Sequence, residues 1–161
     1  MKNFAFIGLA GFVAKKHVKC ISDLKGNLVA ALDKHDNVGF IDSFFSKCNF
    51  FKKEKEFFKY IKKRKIDYVV VCSPSYLHFN HIKLSLLSGC NVIVEKPPVI
   101  KFEDYKKIIK LEKKTKKKYD MTLIITDHDK INYNMIKKYS KEIVDTRNIY
   151  KNNNNKKILN L

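Results

Sequence analysis

Phe4-Ala5-Phe6-Ile7-Gly8-Leu9-Ala10-Gly11-Phe12-Val13-Ala14 is the stretch whose reading decides the fold. Phe4 to Ile7 is a short apolar run of strand type, and glycine follows it at once. A turn of this kind needs glycine where the chain bends sharply and where backbone must approach a pyrophosphate, and Gly8 and Gly11 supply it. Phe12 to Leu24 then carries a helical pattern, so the turn ends on free amides at the positive end of a helix dipole. The spacing is G-x-x-G-x-x-A, a relaxed form of the G-x-G-x-x-G dinucleotide turn.

Outward from that turn, short apolar runs alternate with longer helical patterns, the signature of βαβ units that build a parallel sheet. Leu28 to Leu32 reads as a second strand ended by Asp33. Val38 to Phe45 reads as a helix, Phe50-Phe51 as a short strand and Glu54 to Lys63 as a helix. Tyr68 to Cys72 is an almost unbroken β-branched run, expected to be buried on both faces. His78 to Leu87 reads as a helix closed by Gly89 in a left-handed cap. Asn91 to Val94 is the next strand, stopped by Pro97-Pro98. Phe102 to Lys117 is an amphipathic helix expected to turn Tyr105, Ile108, Ile109 and Leu111 toward the core. Met121 to Thr126 is expected to serve as the sixth strand of the same sheet. Ile131 to Tyr139 reads as a helix, Ile143-Val144 as a strand, and Lys151 to Lys157 as a tract too polar to pack. The pattern predicts an α/β protein with a Rossmann-type doubly wound, mostly parallel sheet.

At 161 residues the chain fits one domain, and is short for a two-domain dehydrogenase. Its formal charge of +18 comes from 34 basic and 16 acidic residues, which raises the question of nucleic acid. Only Arg64 and Arg147 are arginines, and the lysines are spread over several helical stretches, so solvated helix faces are expected and no specific nucleic-acid partner. Cys20, Cys48, Cys72 and Cys90 form no C-x-x-C pair; neither a metal site nor a disulfide frame is expected, and a reducing, cytoplasmic setting fits. No segment has the ~18 to 20 apolar residues of a membrane span.

Three places can carry chemistry. Asp33, about 20 residues beyond the glycines, can accept hydrogen bonds from an adenosine ribose, a choice that favours NAD over NADP. Cys72-Ser73-Pro74-Ser75-Tyr76-Leu77-His78 lies at the carboxyl end of the most buried strand, where open α/β sheets bind ligands. Glu95-Lys96-Pro97 ends the next strand, and a lysine there can move a proton of a substrate alcohol. Asp127-His128-Asp129 reads as a loop rather than a metal or acid-base cluster, because adjacent residues do not converge without partners. His17, His35 and His81 read as ordinary helix or turn histidines.

With the glycine turn, the S-P-x-x-x-H segment and the E-K-P triplet in that order, the first ~120 residues resemble the Gfo/Idh/MocA oxidoreductases. Within that family, the stretches from Met1 to Gly8, Asp36 to Ser43 and Asp67 to Pro74 are similar to UDP-N-acetyl-2-amino-2-deoxyglucuronate 3-dehydrogenases of surface-polysaccharide synthesis. The resemblance implies oxidation at sugar C3, with hydride passing to NAD and Lys96 as the catalytic group that assists removal of the hydroxyl proton. It also implies cofactor contacts from Gly8, Ala10, Gly11, Phe12 and Val13 in the first turn. Asp33 joins them from the second strand. Ser73, Pro74, Ser75, Leu77, His78, Glu95 and Lys96 complete the set. Ser75 stands where asparagine is common in the family, and Pro98 where leucine is.

After Lys118 the likeness changes. Thr126-Asp127-His128-Asp129, Tyr133 and Val144-Asp145-Thr146-Arg147-Asn148 resemble the end of UDP-glucose/UDP-N-acetylglucosamine 6-dehydrogenases, which implies Arg147 as a UDP contact. The expected organisation is an NAD-binding domain over 1–118, a strand-helix-strand piece over 119–150 and a polar tail over 151–161. The expected function is an NAD-binding oxidoreductase-like protein, truncated and of weak or no activity. A non-enzymatic nucleotide-binding or regulatory module is the alternative.

Overall fold

The computed structural model describes residues 1–36, 39–114, 119–124, 127, 129, 131–151 and 155–160. Five strands, β1 (Asn3–Ile7), β2 (Asn27–Leu32), β3 (Asn49–Phe51), β4 (Tyr68–Val71) and β5 (Asn91–Val94), form one sheet in the order β3-β2-β1-β4-β5. Every pairing in it is parallel. The strand order reverses between β1 and β4, which is the arrangement of a Rossmann sheet.

Side chains alternate across a strand, so β1 feeds two cores at once. Ala5 and Ile7 pack with Phe57 and Ile61 of α2 (Glu54–Lys62). Phe6 packs on the other face with Val18 and Ile21 of α1 (Ala14–Asp23). Phe57 is fully buried, a burial that contributes about 2 to 3 kcal/mol. α3 (Ser75–Leu87) and α4 (Phe102–Lys114) complete the helices of this part.

Several expectations are corrected. Val38 to Phe45 does not form a helix: the described part is a single 3-10 turn, Gly39–Ile41, followed by tight turns in which Phe44 and Phe45 both donate to the Ile41 carbonyl. Ile41 is buried there, so one apolar anchor holds the segment and no helical face is needed; Val38 lies outside the described residues. α3 starts three residues before His78, because Pro74 (φ −54) sits at its N-cap and its carbonyl accepts from Leu77. On α4, Tyr105 is 48% exposed and stacks on exposed Phe102 instead of entering the core. Ile108, Ile109 and Leu111 are half-buried. Among the described residues, β5 is the edge strand of this sheet.

The missing strand is the largest difference. The contacts divide the chain into Met1–Glu112 and Lys113–Leu161. β6 (Tyr119–Ile124) does not join the first sheet; it pairs with β7 (Ser140–Asp145), which pairs with β8 (Ile158–Asn160) in a separate parallel sheet. Only α5 (Tyr133–Tyr139) and its loops separate β6 from β7, a short closure of low entropic cost. Ile124, Ile143 and Tyr150 form its small core. The end of the polar tail therefore supplies a strand.

Gly8, just after β1, has no room for a side chain: its φ is +88, and an added Cβ would lie 2.4 Å from the Ser73 amide nitrogen. Gly8→Ala is expected to lower stability by about 2 to 4 kcal/mol, read as a fall in the urea midpoint; an unchanged midpoint contradicts this packing.

Candidate functional site

The reversal of strand order opens a crevice at the carboxyl ends of β1 and β4. Gly8 enters it, held by a 2.9 Å hydrogen bond from its amide to the Leu32 carbonyl of β2. The turn then closes on itself, with Gly11 donating to Gly8 and Ala14 to Gly11. At Gly11 a Cβ would lie 3.0 Å from the Cys72 carbonyl, so both glycines are close approaches to the end of β4. The Phe12 and Val13 amides have no acceptor among the described residues, and Val13 caps α1 without side-chain help. Two free donors thus stand at a positive helix end.

Asp33 braces this turn from β2. One carboxylate oxygen accepts from the Ala10 amide at 2.7 Å and the other from His35 at 2.9 Å. A carboxylate has about four acceptor positions, so outward capacity for hydroxyl donors remains.

The β4 end is built around α3. Ser73 is buried, and its Oγ lies 2.8 Å from His81 Nδ1. Burial, and then the charge of His78, push the His81 pKa down to about 4. A neutral ring with its proton on Nε2, toward Glu54, accepts from the Ser73 hydroxyl. His81 is therefore a buried partner of Ser73, in place of the ordinary helix histidine expected. Pro74 is exposed, and Ser75 and Leu77 are half-buried in the first turn of α3. His78 is 2% exposed and spends both ring nitrogens on backbone carbonyls, those of Pro97 (2.8 Å) and Ser73 (2.7 Å).

The β5 end brings the third segment. His17 Nε2 donates to Glu95 at 2.6 Å, which, with the Lys96 amide and ammonium, holds the Glu95 carboxyl below its usual range. Lys96 follows, exposed. Cys72 lies with this pair, the three ligating atoms within 4.8 Å of one another. No metal was expected, and the grouping has another account: the His17–Glu95 bond is already made, and Cys72 is a core residue whose thiol burial pushes up to about 12. The His17 contact has no sequence signal, since the two residues meet only through the fold.

The residues fit a dinucleotide. Glycines clear the approach, two unpaired amides suit a pyrophosphate, and Asp33 stands at the tip of the second strand where ribose hydroxyls are read. Ser73 follows β4 and Lys96 follows Glu95 after β5, at the same carboxyl edge of the sheet as the turn. Arg147 belongs to the other unit, where it is exposed. The buried Asp145 carboxylate there accepts from the amides of Arg147 and Tyr150 and so shapes the turn. Asp127 accepts from the Tyr133 hydroxyl, and His128 lies outside the described residues.

Residues 2–123 match the GFO_IDH_MocA profile, described as an oxidoreductase family with an NAD-binding Rossmann fold. Among solved structures, the chain is similar to the WlbA (WbpB) dehydrogenase of Thermus thermophilus in complex with NAD and UDP-GlcNAcA. Identity is 38%, the TM-score 0.70, and the match covers 71% of this chain and 39% of that one. Myo-inositol 2-dehydrogenase of Lactobacillus plantarum shares the fold, at 22% identity and a TM-score of 0.61, over 71% of this chain and 34% of its own. A 36-residue stretch is 47% identical to D-glucoside 3-dehydrogenase of Escherichia coli K12, covering 22% of this chain and 10% of that protein. The chain thus spans well under half the length of these relatives. No described helix is long and apolar enough to cross a membrane.

His81 gives the site a pH signature. Its folded pKa of about 4 lies below the ordinary 6.5, so the unfolded chain binds more protons between these values. Its contribution to stability is full above pH 6.5 and is lost as pH falls toward 4, by up to about 3 kcal/mol. Denaturant melts across that window are expected to show the slope in the native chain and a shallower one in His81→Gln; equal slopes contradict the assignment.

Proposed function

The chain belongs to the Gfo/Idh/MocA oxidoreductase family, an NAD-binding Rossmann fold, and from that premise we propose that it forms the NAD-binding part of a dehydrogenase acting at C3 of a UDP-linked sugar acid. The observation that carries the substrate class is the 38% identity to a dehydrogenase solved with NAD and UDP-GlcNAcA, against 22% to the inositol enzyme.

Each residue has a role in this reading. The Phe12 and Val13 amides hold the pyrophosphate, with Gly8, Ala10 and Gly11 shaping the approach. Asp33 accepts from the adenosine ribose and repels a 2′-phosphate, which selects NAD. Ser73, Pro74, Ser75, Leu77, Glu95 and the backbone held by His78 line the nicotinamide side. Bound NAD supplies a hydride acceptor. Lys96 Nζ takes up the proton of the sugar hydroxyl.

Hydride transfer needs the substrate held within ~3 to 3.5 Å of its acceptor. In this reading the matched residues supply cofactor binding, and turnover depends on groups that hold the sugar nucleotide beside them. The exposed Arg147 is the candidate for a uridine diphosphate contact in the second unit.

Calorimetry with NAD tests the reading: binding is expected, weakened about tenfold in Asp33→Ala by loss of charged hydrogen bonds. Lys96→Ala is expected to weaken NAD binding less than Asp33→Ala does and to remove any residual NADH formation from UDP-N-acetylglucosaminuronate. No heat with NAD, together with salt-sensitive binding to DNA, would overturn it.

A further inference from the structure

His78 sits at the end of the first turn of α3, 2% exposed, with Ser73 O 2.7 Å from Nε2 and Pro97 O 2.8 Å from Nδ1. Carbonyl oxygens only accept, so each contact needs a hydrogen on the ring nitrogen. A neutral imidazole has one such hydrogen and the doubly protonated ring has two. With the neutral ring, a nitrogen lone pair would face an oxygen lone pair at under 3 Å in a buried place, which is costly. The two carbonyls also belong to different segments. Ser73 follows β4, and Pro97 follows Glu95 and Lys96 at the end of β5.

The charged and titratable groups around the ring complete the picture. His81 lies one turn further along α3, with Glu54 of α2 3.9 Å from its Nε2. Glu95 and Lys96 precede Pro97, and Glu95 is held by His17 of α1. His81 stays neutral beside His78, so the two rings do not compete for charge.

We propose that His78 is a positioning residue: its doubly protonated ring ties the carbonyl after β4 to the carbonyl after Lys96, and so sets the spacing of the two segments, 73–75 and 95–97, that receive NAD. The ring acts through backbone and does not itself touch the cofactor. This rests on the NAD-binding reading above. Loss of one ring proton removes one of the two ties, lets the segments separate, and weakens NAD binding as pH rises.

The test measures NAD affinity of the full chain by calorimetry over about pH 5.5 to 9, the range in which imidazoles titrate, beside the ring-nitrogen 15N shifts of His78. Affinity is expected to fall about tenfold across the range, the loss expected for one charge-assisted hydrogen bond. The same midpoint should mark the change from two ring N–H groups to one. His78→Gln, with a donor for one carbonyl, is expected to bind at the weaker level with no such pH step. A single ring N–H under conditions of tight NAD binding, or a native affinity that is flat with pH, overturns the proposal. If Gln at this position does not fold, the native-chain measurements decide alone. A chain that binds no NAD at any pH would sink the functional reading, and the ring-nitrogen shifts would still decide the clamp.

Discussion

The bare Cα of Gly8 pressed against the Cys72–Ser73 peptide is the contact on which the site depends. Its amide is fixed to the Leu32 carbonyl of β2, it follows β1, and it leaves no room for a Cβ beside Ser73 after β4. One residue thereby locks three strand ends to one another. The free amides of Phe12 and Val13, the Asp33 carboxylate and the Ser73 segment all take their positions from that point. A side chain there would push the turn off β4 and misplace every group at once, because packed interiors do not deform smoothly.

Beneath the crevice lies a layer of histidines, each bridging two elements. His17 joins α1 to the end of β5, His78 joins the ends of β4 and β5, and His81 joins α3 to Ser73. Polar groups of this kind are costly when a partner is missing and rigidify a site when all are satisfied. No buried side-chain nitrogen or oxygen lacks a partner among the described residues. Both ring nitrogens of His78, Nδ1 of His81 and Nε2 of His17 are each taken by a partner, which fixes the segments they join.

The strand-glycine-helix succession from Phe4 to Ala14 was enough to read the sheet, because burial on both faces writes a parallel strand as a continuous apolar run. The fate of Tyr119–Ile124 was not readable: its alternation fits a strand in either sheet, and the short crossover to Ser140–Asp145 gave it a nearer partner. The polar tail concealed Ile158–Asn160, since three residues carry too little periodicity to register. Among the candidate site residues, the turn, Asp33 and Lys96 were proposed from position relative to strands. His17 and His81 did not, because a hydrogen bond between elements distant in sequence leaves no local pattern. His78 was expected as a cofactor contact, and the fold turns its ring inward to two backbone carbonyls.

The most direct measurement is the backbone amide spectrum of the chain during addition of NAD. The account predicts that the Phe12 and Val13 amides shift first and furthest, together with Ala10 and His35, whose amides Asp33 holds. Saturable NAD binding that left the Phe12 and Val13 amides in place and moved residues of β6 to β8 instead would contradict it.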